Sequence, residues 1–447
     1  MKPLLTLILL VALQCNAFCK IFNVKEFGAL GDGKANDRAA IQAAIDNATA
    51  YSLSHGNEMT TVYFPDGKYR LKEILKEFTH PVSNSKIQNA DNSLLNVYSN
   101  LELVGNRHSI LLAGEKLNND EPFRAFNIIY VEQPVNNFLI HKLTFDLNGS
   151  ANMFTDEKNL QRTKNAAICL RRGRKIKIDS ITVRNSVGRQ CISIGTNSKD
   201  FIHVVKNLII SNCVIENIGD CFQHDLIQSD HSSIFAMADS VDIFNNRLLC
   251  GGTPSKYSTA IECHISNGRV HHNSINNYNI GFNIVALWYD QENTNYFDNE
   301  INNSNEGFRI WTSNQFKMKH LEISTNKANL SAAENYGFIY QVDKTNGRVD
   351  EVIVKNNEVK NISDDARNHY PAILFTKASA INIVGNTFVN YAKNIVMVQD
   401  LEAKNSEIKN NVVKNNPNNN VCNEGEFNAR IVIRNQTAIS LSDNCTY

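Results

Sequence analysis

An all-β solenoid with one helix laid across its N-terminal end is the fold that this 447-residue chain predicts, on three observations. Between residues 139 and 400 the sequence returns repeatedly to one phrase: an aliphatic strand, an Asn corner and a second short strand, as in NLIISNCVIENIGD, SVDIFNNRLLCGG and SAINIVGNTFVNYAKNIVMV. The spacing is mostly in the twenties, and a repeat of that size buries its apolar face only by stacking on its neighbours. Within each phrase Val and Ile alternate at period two and Asn interrupts every apolar run, which disfavours helical repeats. Asn also tolerates left-handed backbone at tight corners, and its amide can form ladders between successive turns. The third observation is NDRAAIQAAIDNA, residues 36–48, which sets Ala40, Ile41, Ala44, Ile45 and Ala48 on one helical face behind a capping Asn or Asp. A strand solenoid has an exposed end that templates aggregation, and a helix across it is a standard cover. The stack is expected from about residue 100 to 435.

At the front, Lys2, the apolar run 4–13 and a small-residue site ending at Ala17 have the order of a secretory signal peptide, so residues 1–17 are set apart from the fold. A lipid anchor at Cys15 is the weaker reading, because Gln14 is bulkier than the residue that usually precedes a lipidated cysteine. No later segment approaches the roughly 20 apolar residues of a membrane span. The expectation is a secreted or periplasmic protein with one β-helix domain over 18–447, in which 18–75 form the N-terminal cap and first coil and 420–447 the C-terminal cap. Lys plus Arg equals Asp plus Glu at 45 each, so no global field drives the molecule onto nucleic acid or an anionic membrane.

Cys169, Cys191, Cys213, Cys221, Cys250 and Cys263 mostly sit among aliphatic residues, where a thiol acts as a small core hydrophobe. No pair has CxxC spacing, which gives a zinc or redox site little support. No metal and no cofactor is predicted, with calcium left open. Cys422 and Cys445 flank the final strand region of an exported chain and are expected to form a disulfide.

The segment IFNVKEFGALGDGKANDRAAIQAAIDNA (21–48), followed by VYFPDGKYRL (62–71), LTFDLNGS (143–150) and the Asn-punctuated coils, resembles the pectate-lyase superfamily. The resemblance implies a single-stranded right-handed parallel β-helix, and within it the subgroup whose first coil opens with FGAxGDGxxDxxAIQxAI. It also implies glycan chemistry, without choosing among lyases, hydrolases, epimerases and phage tailspikes. GDC at 219–221 resembles the paired-Asp segment of polygalacturonases but carries one Asp, and the later HG and RIK elements are missing.

Stacking the short strand after each Asn turn gives an inward column of Ile192, Phe222, Ile261, Phe282 and Phe308. Outside it, one expected column holds Ser193, Gln223, Glu262, Asn283 and Arg309, and the other holds Gly195, Asp225, His264, Val285 and Trp311. Adjacent coils lie roughly 4.8 Å apart, so Asp225, Glu262, His264, Arg309 and Trp311 are expected to share one solvent-facing patch. Two carboxyls, an imidazole, a guanidinium and an indole are what a sugar-cleaving site uses: proton donors and acceptors, a charge stabiliser and a flat face for a pyranose. The same register turns His224 inward, and Asp220 at the preceding corner is the substitute carboxylate. WYD at 288–290 offers Tyr289 or Asp290 to a cleft wall, or else forms a turn with an aromatic anchor. RRGRKIK at 171–177 reads as a solvated basic face, or as a hold on an acidic polymer. His271 and His272, adjacent on a strand, are expected on opposite faces and in no common site.

Three function classes follow, all with a polysaccharide partner. Glycosidic hydrolysis is favoured, since a diagonal Asp225–Glu262 placement gives about 8 Å, in the range associated with inversion. Elimination at a uronate is the alternative, with His264 as base and Arg309 neutralising the carboxylate. A non-catalytic glycan binder needs only the aromatic and basic surface.

Overall fold

The computed structural model describes residues 20–446, apart from 107, 118–125, 153–164, 187–189, 197–204, 219–230, 253, 255–257, 314–315, 332–336, 344–346, 363–370, 392–393, 403–405, 415–426, 429 and 434–438. Strands dominate, and they pair coil upon coil. A full coil contributes three of them, as in Ile280–Ala286, Gln291–Phe297 and Glu300–Ser304. Each lies parallel on its counterpart in the next coil, Glu306–Thr312, Lys317–Ser324 and Lys327–Leu330. The result is three stacked faces. The first two merge where one strand runs through the corner, as Ser258–His271 does.

Parallel stacking begins before residue 100, within the 18–75 segment expected to hold the first coil. Lys20–Asn23 already pairs with Thr60–Tyr63, which pairs with Leu101–Val104. At the other end Cys445–Thr446 pairs with Val412–Lys414, so strands continue beyond residue 435. The hairpin Leu75–Thr79 with Lys86–Leu95 is antiparallel and interrupts the first coils.

The inward column on the first face runs Ile168, Ile192, Ile234, Ile261, Phe282, Phe308 and Ile339, all fully buried. Phe282 and Phe308 stack at 4.8 Å between ring centroids. Ile234 stands where the sequence placed Phe222, because the strand of that coil is His231–Phe244. Consequently Phe235 and Met237, not Gln223 and Asp225, flank Glu262 and His264 in the paired register.

Asparagine builds the corner between the second and third faces. Asn246, Asn273, Asn299, Asn326, Asn357, Asn386, Asn411 and Asn444 are all buried and stack as a ladder. Each amide Nδ2 donates to the next Oδ1 at 2.8–3.1 Å. Each backbone N–H donates to that same oxygen, and Nδ2 also reaches a carbonyl of the coil before it, as Asn299 reaches Val270. The residue before each rung is left-handed, with φ between 53° and 67°. In the coil before the ladder Cys213 takes the rung position, giving its amide to Asn246 Oδ1 at 2.9 Å.

Helix α1, Arg38–Ser54, extends past the expected residue 48 and buries Ile41, Ala44, Ile45 and Ala48 against the first strands. Asp37 precedes it without capping it: its carboxylate accepts instead from the amides of Leu30 and Gly31 at 2.7 and 3.1 Å. The FGALGDG turn is thereby tied to the helix start. Gly31 needs to be glycine there, since its φ is +67° and a Cβ would meet the Tyr69 ring at 2.9 Å.

Candidate functional site

Glu262 and His264 lie two residues apart on the strand Ser258–His271, so the pleat turns both outward from the core column of Ile261, Cys263 and Ile265. Outward here is not into water. The His264 side chain is 3% exposed and that of Glu262 12%, which corrects the expectation of a wet patch. The cover comes from the same face. Phe235 and Met237 of the preceding coil pack with Tyr289, and Trp288 closes over them. The Phe235 and His264 rings lie 5.1 Å apart, and the Tyr289 hydroxyl donates to the His264 carbonyl. Tyr289 is therefore the anchor of the 288–290 turn, not a free wall of a cleft. Asp290 finishes that turn, accepting from the Lys317 amide at 2.8 Å and pairing with Lys319 at 3.5 Å.

Within this cover the polar groups are arranged about the Glu262 carboxylate. Ser232, which lies on the strand of the preceding coil, donates its hydroxyl to Oε2 at 2.5 Å, and Nε2 of His264 lies 2.9 Å from Oε1. With Glu262 ionised, Nε2 is the donor, and a neutral imidazole then carries a bare Nδ1. That Nδ1 is buried and has no hydrogen-bond partner among the described residues. In the next coil Asn283 stands beside Glu262, and its Oδ1 is likewise buried and without a partner there. Chemically this is an oriented imidazole with one nitrogen open, beside an open amide oxygen.

Arg309 follows Asn283 in the register, and Trp311 follows Val285, as expected. The guanidinium is not poised for a ligand. It is buried and forms a two-pronged pair with Glu306, Nε to Oε2 at 2.7 Å and Nη2 to Oε1. Glu306 is fully buried, and burial pushes its carboxyl pKa up against the pull of Arg309. Sequence reasoning missed this partner because residues three apart on a strand point to opposite faces.

Asp220, Gln223, His224 and Asp225 lie outside the described residues, as do Cys221 and Cys422. Cys445 is disulfide-bonded, with its partner also outside them. Cys169, Cys191, Cys213, Cys250 and Cys263 are buried and in no disulfide, and burial pushes the thiols of Cys191, Cys213 and Cys263 up to about 12. Such thiols pack and do not react. In the basic run, Arg171 lies over the Tyr130 ring and reaches Asp91 at 3.4 Å, whereas Arg174, Lys175 and Lys177 are exposed. His271 and His272 contradict their expected separation. The left-handed φ of 54° at His272 swings its ring back, and the two Nδ1 atoms lie 2.8 Å apart. Even so, no cluster of three or more His, Cys, Asp or Glu suited to a metal occurs among the described residues. No helix among those residues is long and apolar enough to cross a membrane.

Comparison with known proteins sharpens the assignment. The chain matches the family model "Rhamnogalacturonase A/epimerase, pectate lyase-like" over residues 21–283. It is 31% identical over 194 residues to plasmin and fibronectin-binding protein A of Streptococcus pneumoniae, covering 42% of this chain and 23% of that protein. A stretch of 51 residues is 57% identical to mannuronan C5-epimerase AlgE1 of Azotobacter vinelandii, covering 11% of this chain and 3% of that one. The chain thus spans less than a quarter of the length of these curated relatives. Among solved structures, the A-module of Azotobacter vinelandii mannuronan C-5 epimerase AlgE6 superposes with a TM-score of 0.60 at 17% identity, over 95% of this chain and 99% of that one. The tailspike of E. coli bacteriophage HK620, solved in complex with a pentasaccharide, superposes with a TM-score of 0.68 at 14% identity, over 88% of this chain and 66% of that one. Stacked parallel coils, a family match over more than half of the chain and these superpositions agree: the chain belongs to the rhamnogalacturonase A/epimerase, pectate lyase-like family of right-handed parallel β-helix proteins.

Proposed function

We propose that this chain is an exported enzyme that acts on an acidic polysaccharide by removing a proton from a uronate ring. One observation carries the reading: Nε2 of His264 held 2.9 Å from the Glu262 carboxylate, with Nδ1 left without a partner among the described residues. An imidazole fixed at one nitrogen by a carboxylate and open at the other is the arrangement of a general base. In this reading Nδ1 takes the C5 proton and Glu262 stabilises the imidazolium. The electron pair left at C5 then expels the glycosidic oxygen at C4, which takes a proton from solvent, giving an unsaturated uronate, or the carbanion takes a solvent proton on the other face. Relatives named as C5-epimerases and as alginate lyase 7 of Azotobacter vinelandii support that choice. The dyad lies under Phe235, Met237 and Tyr289, so productive binding requires the 288–290 turn to give way.

Hydrolysis, which the sequence favours, is the second reading. It rests on Glu262 as one carboxyl and needs Asp225 or Asp220 to bring another to about 8 Å. The likeness to a tailspike solved with a pentasaccharide supports it. In both readings residues 1–17 serve as the export signal, 18–447 form one β-helix domain, and α1 caps its first coil. Incubation with a panel of uronate-containing polymers decides. Absorbance near 235 nm supports elimination, new reducing ends without it support hydrolysis, and inverted C5 configuration by proton NMR supports epimerisation. A polymer bound but unchanged would leave a binding module and sink the enzymatic reading.

A further inference from the structure

A second site lies far along the chain from the Glu262 strand, where α1 and the antiparallel hairpin meet the first coils. There a cleft of about 740 Å³ opens between them, a size typical of small-ligand sites. Its chemistry is narrow. The polar residues Asn57, Asn100, Gln133, Asn136, Ser85 and Ser99 line it, together with aliphatic ones such as Leu53, Ile87 and Val97. Among the described residues no carboxylate does, and the two basic side chains, Lys86 and His80, have partners. Lys86 pairs with Glu77 at 2.8 Å. His80 accepts the amides of Val82 and Ser83 on Nδ1, at 3.3 and 3.2 Å. With Nδ1 accepting, the ring proton lies on Nε2, and the His80 side chain belongs to the cleft lining. The Tyr98 ring meets His80 edge-on at 5.6 Å and forms the aromatic part of the wall. Asn96, behind it, is 1% exposed, and its Oδ1 has no partner among the described residues. The rest of that residue is fully engaged, its backbone clasped to Gln42 of α1 through bonds of 2.9 and 3.1 Å.

We infer that this cleft is a binding site for a neutral sugar unit, separate from the candidate catalytic strand. A wall of amides, hydroxyls, one imidazole and one aromatic ring, interspersed with aliphatic residues and with its one ammonium paired, matches a polyhydroxylated ring that offers hydroxyls to the polar groups and C–H faces to the apolar ones. Anions are disfavoured, since the one ammonium is already paired. The inference does not use the chemistry of Glu262.

The test uses the full exported chain with neutral pentasaccharides of glucose, mannose and galactose, beside pentamers of galacturonate and mannuronate. Hydrogen exchange locates binding, and calorimetry measures it. A neutral pentasaccharide is expected to protect peptides spanning 80–100 and 131–136. His80→Phe and the exposed-site variant Gln133→Ala should each weaken that binding at least fivefold while retaining the parent melting temperature within a few degrees. Glu262→Gln should leave it unchanged. No protection by any neutral member, protection by the uronates alone, or binding indifferent to both cleft variants would each overturn the inference.

Discussion

Nε2 of His264 sits 2.9 Å from Oε1 of Glu262, two residues back on the same strand, with the imidazole buried and the carboxylate mostly so. Glu262→Gln preserves the shape of this contact but removes the charge that stabilises an imidazolium. Activity on a cleaved polymer should fall about 100-fold or more. Loss of the base itself, in His264→Gln, should abolish elimination or epimerisation, whereas a hydrolase should keep part of its rate. Initial rates on the same polymer distinguish the outcomes, and a fully active Glu262→Gln refutes the site.

The Arg309–Glu306 pair is expected to govern stability more than substrate choice. Removing the guanidinium strands a fully buried carboxylate, and Arg309→Ala should cost about 3–5 kcal/mol in urea unfolding at pH 7. A direct role in holding acidic polymers would instead show as a higher KM with unchanged stability.

Glu306 also gives a pH signature. Its folded carboxyl titrates above the usual 4.5 because it is buried. A folded state that holds a proton more tightly than the unfolded chain has this contribution in full below pH 4.5 and loses it as pH rises through the raised value. Unfolding measured from pH 4 to 7 should show that decline, Glu306→Gln should flatten it, and Arg309→Ala should steepen it.

Asn299 sits mid-ladder, accepting from both the amide and Nδ2 of Asn273. Asn299→Ala leaves those buried donors without an acceptor, at a cost of about 3 kcal/mol. Asn276, half-buried on the adjoining strand, is the control: its replacement by Ala should change the unfolding midpoint far less.

We expect Cys445 to be joined to Cys422. Its closed loop of about 24 residues is worth roughly 3 kcal/mol on the chain-entropy model. Peptide mapping without reduction should show the 422–445 crosslink, and alkylation of both thiols in the unreduced protein would exclude it.

Alternation and Asn corners carried the inward column at Ile261, Phe282 and Phe308, because a buried face and a left-handed corner each leave a residue-type signature. The same reasoning placed Phe222 in the position that Ile234 occupies. The stretch SSIFAMADSV is apolar on both parities and follows no Asn corner, so period two cannot say which side faces in. That ambiguity had a structural cause. Phe235 and Met237 point away from the core column yet are buried beneath Tyr289, and a local pattern does not record what a distant turn lays over a sheet. The side-by-side placing of Glu262, Asn283 and Arg309 was legible for the converse reason, since each follows an unambiguous inward aromatic or aliphatic residue. Glu306 was not, because its pairing with Arg309 runs against strand parity.

The rungs of the asparagine ladder are separated in sequence by 27, 26, 27, 31, 29, 25 and 33 residues. In space each step is the same hydrogen bond. The ladder is therefore a ruler that fixes axial rise per coil and is indifferent to contour length. A coil that carries more chain than its neighbour leaves the adjoining rungs where they were. Segments between rungs can lengthen, shorten or be exchanged one coil at a time without renegotiating how the stack stands.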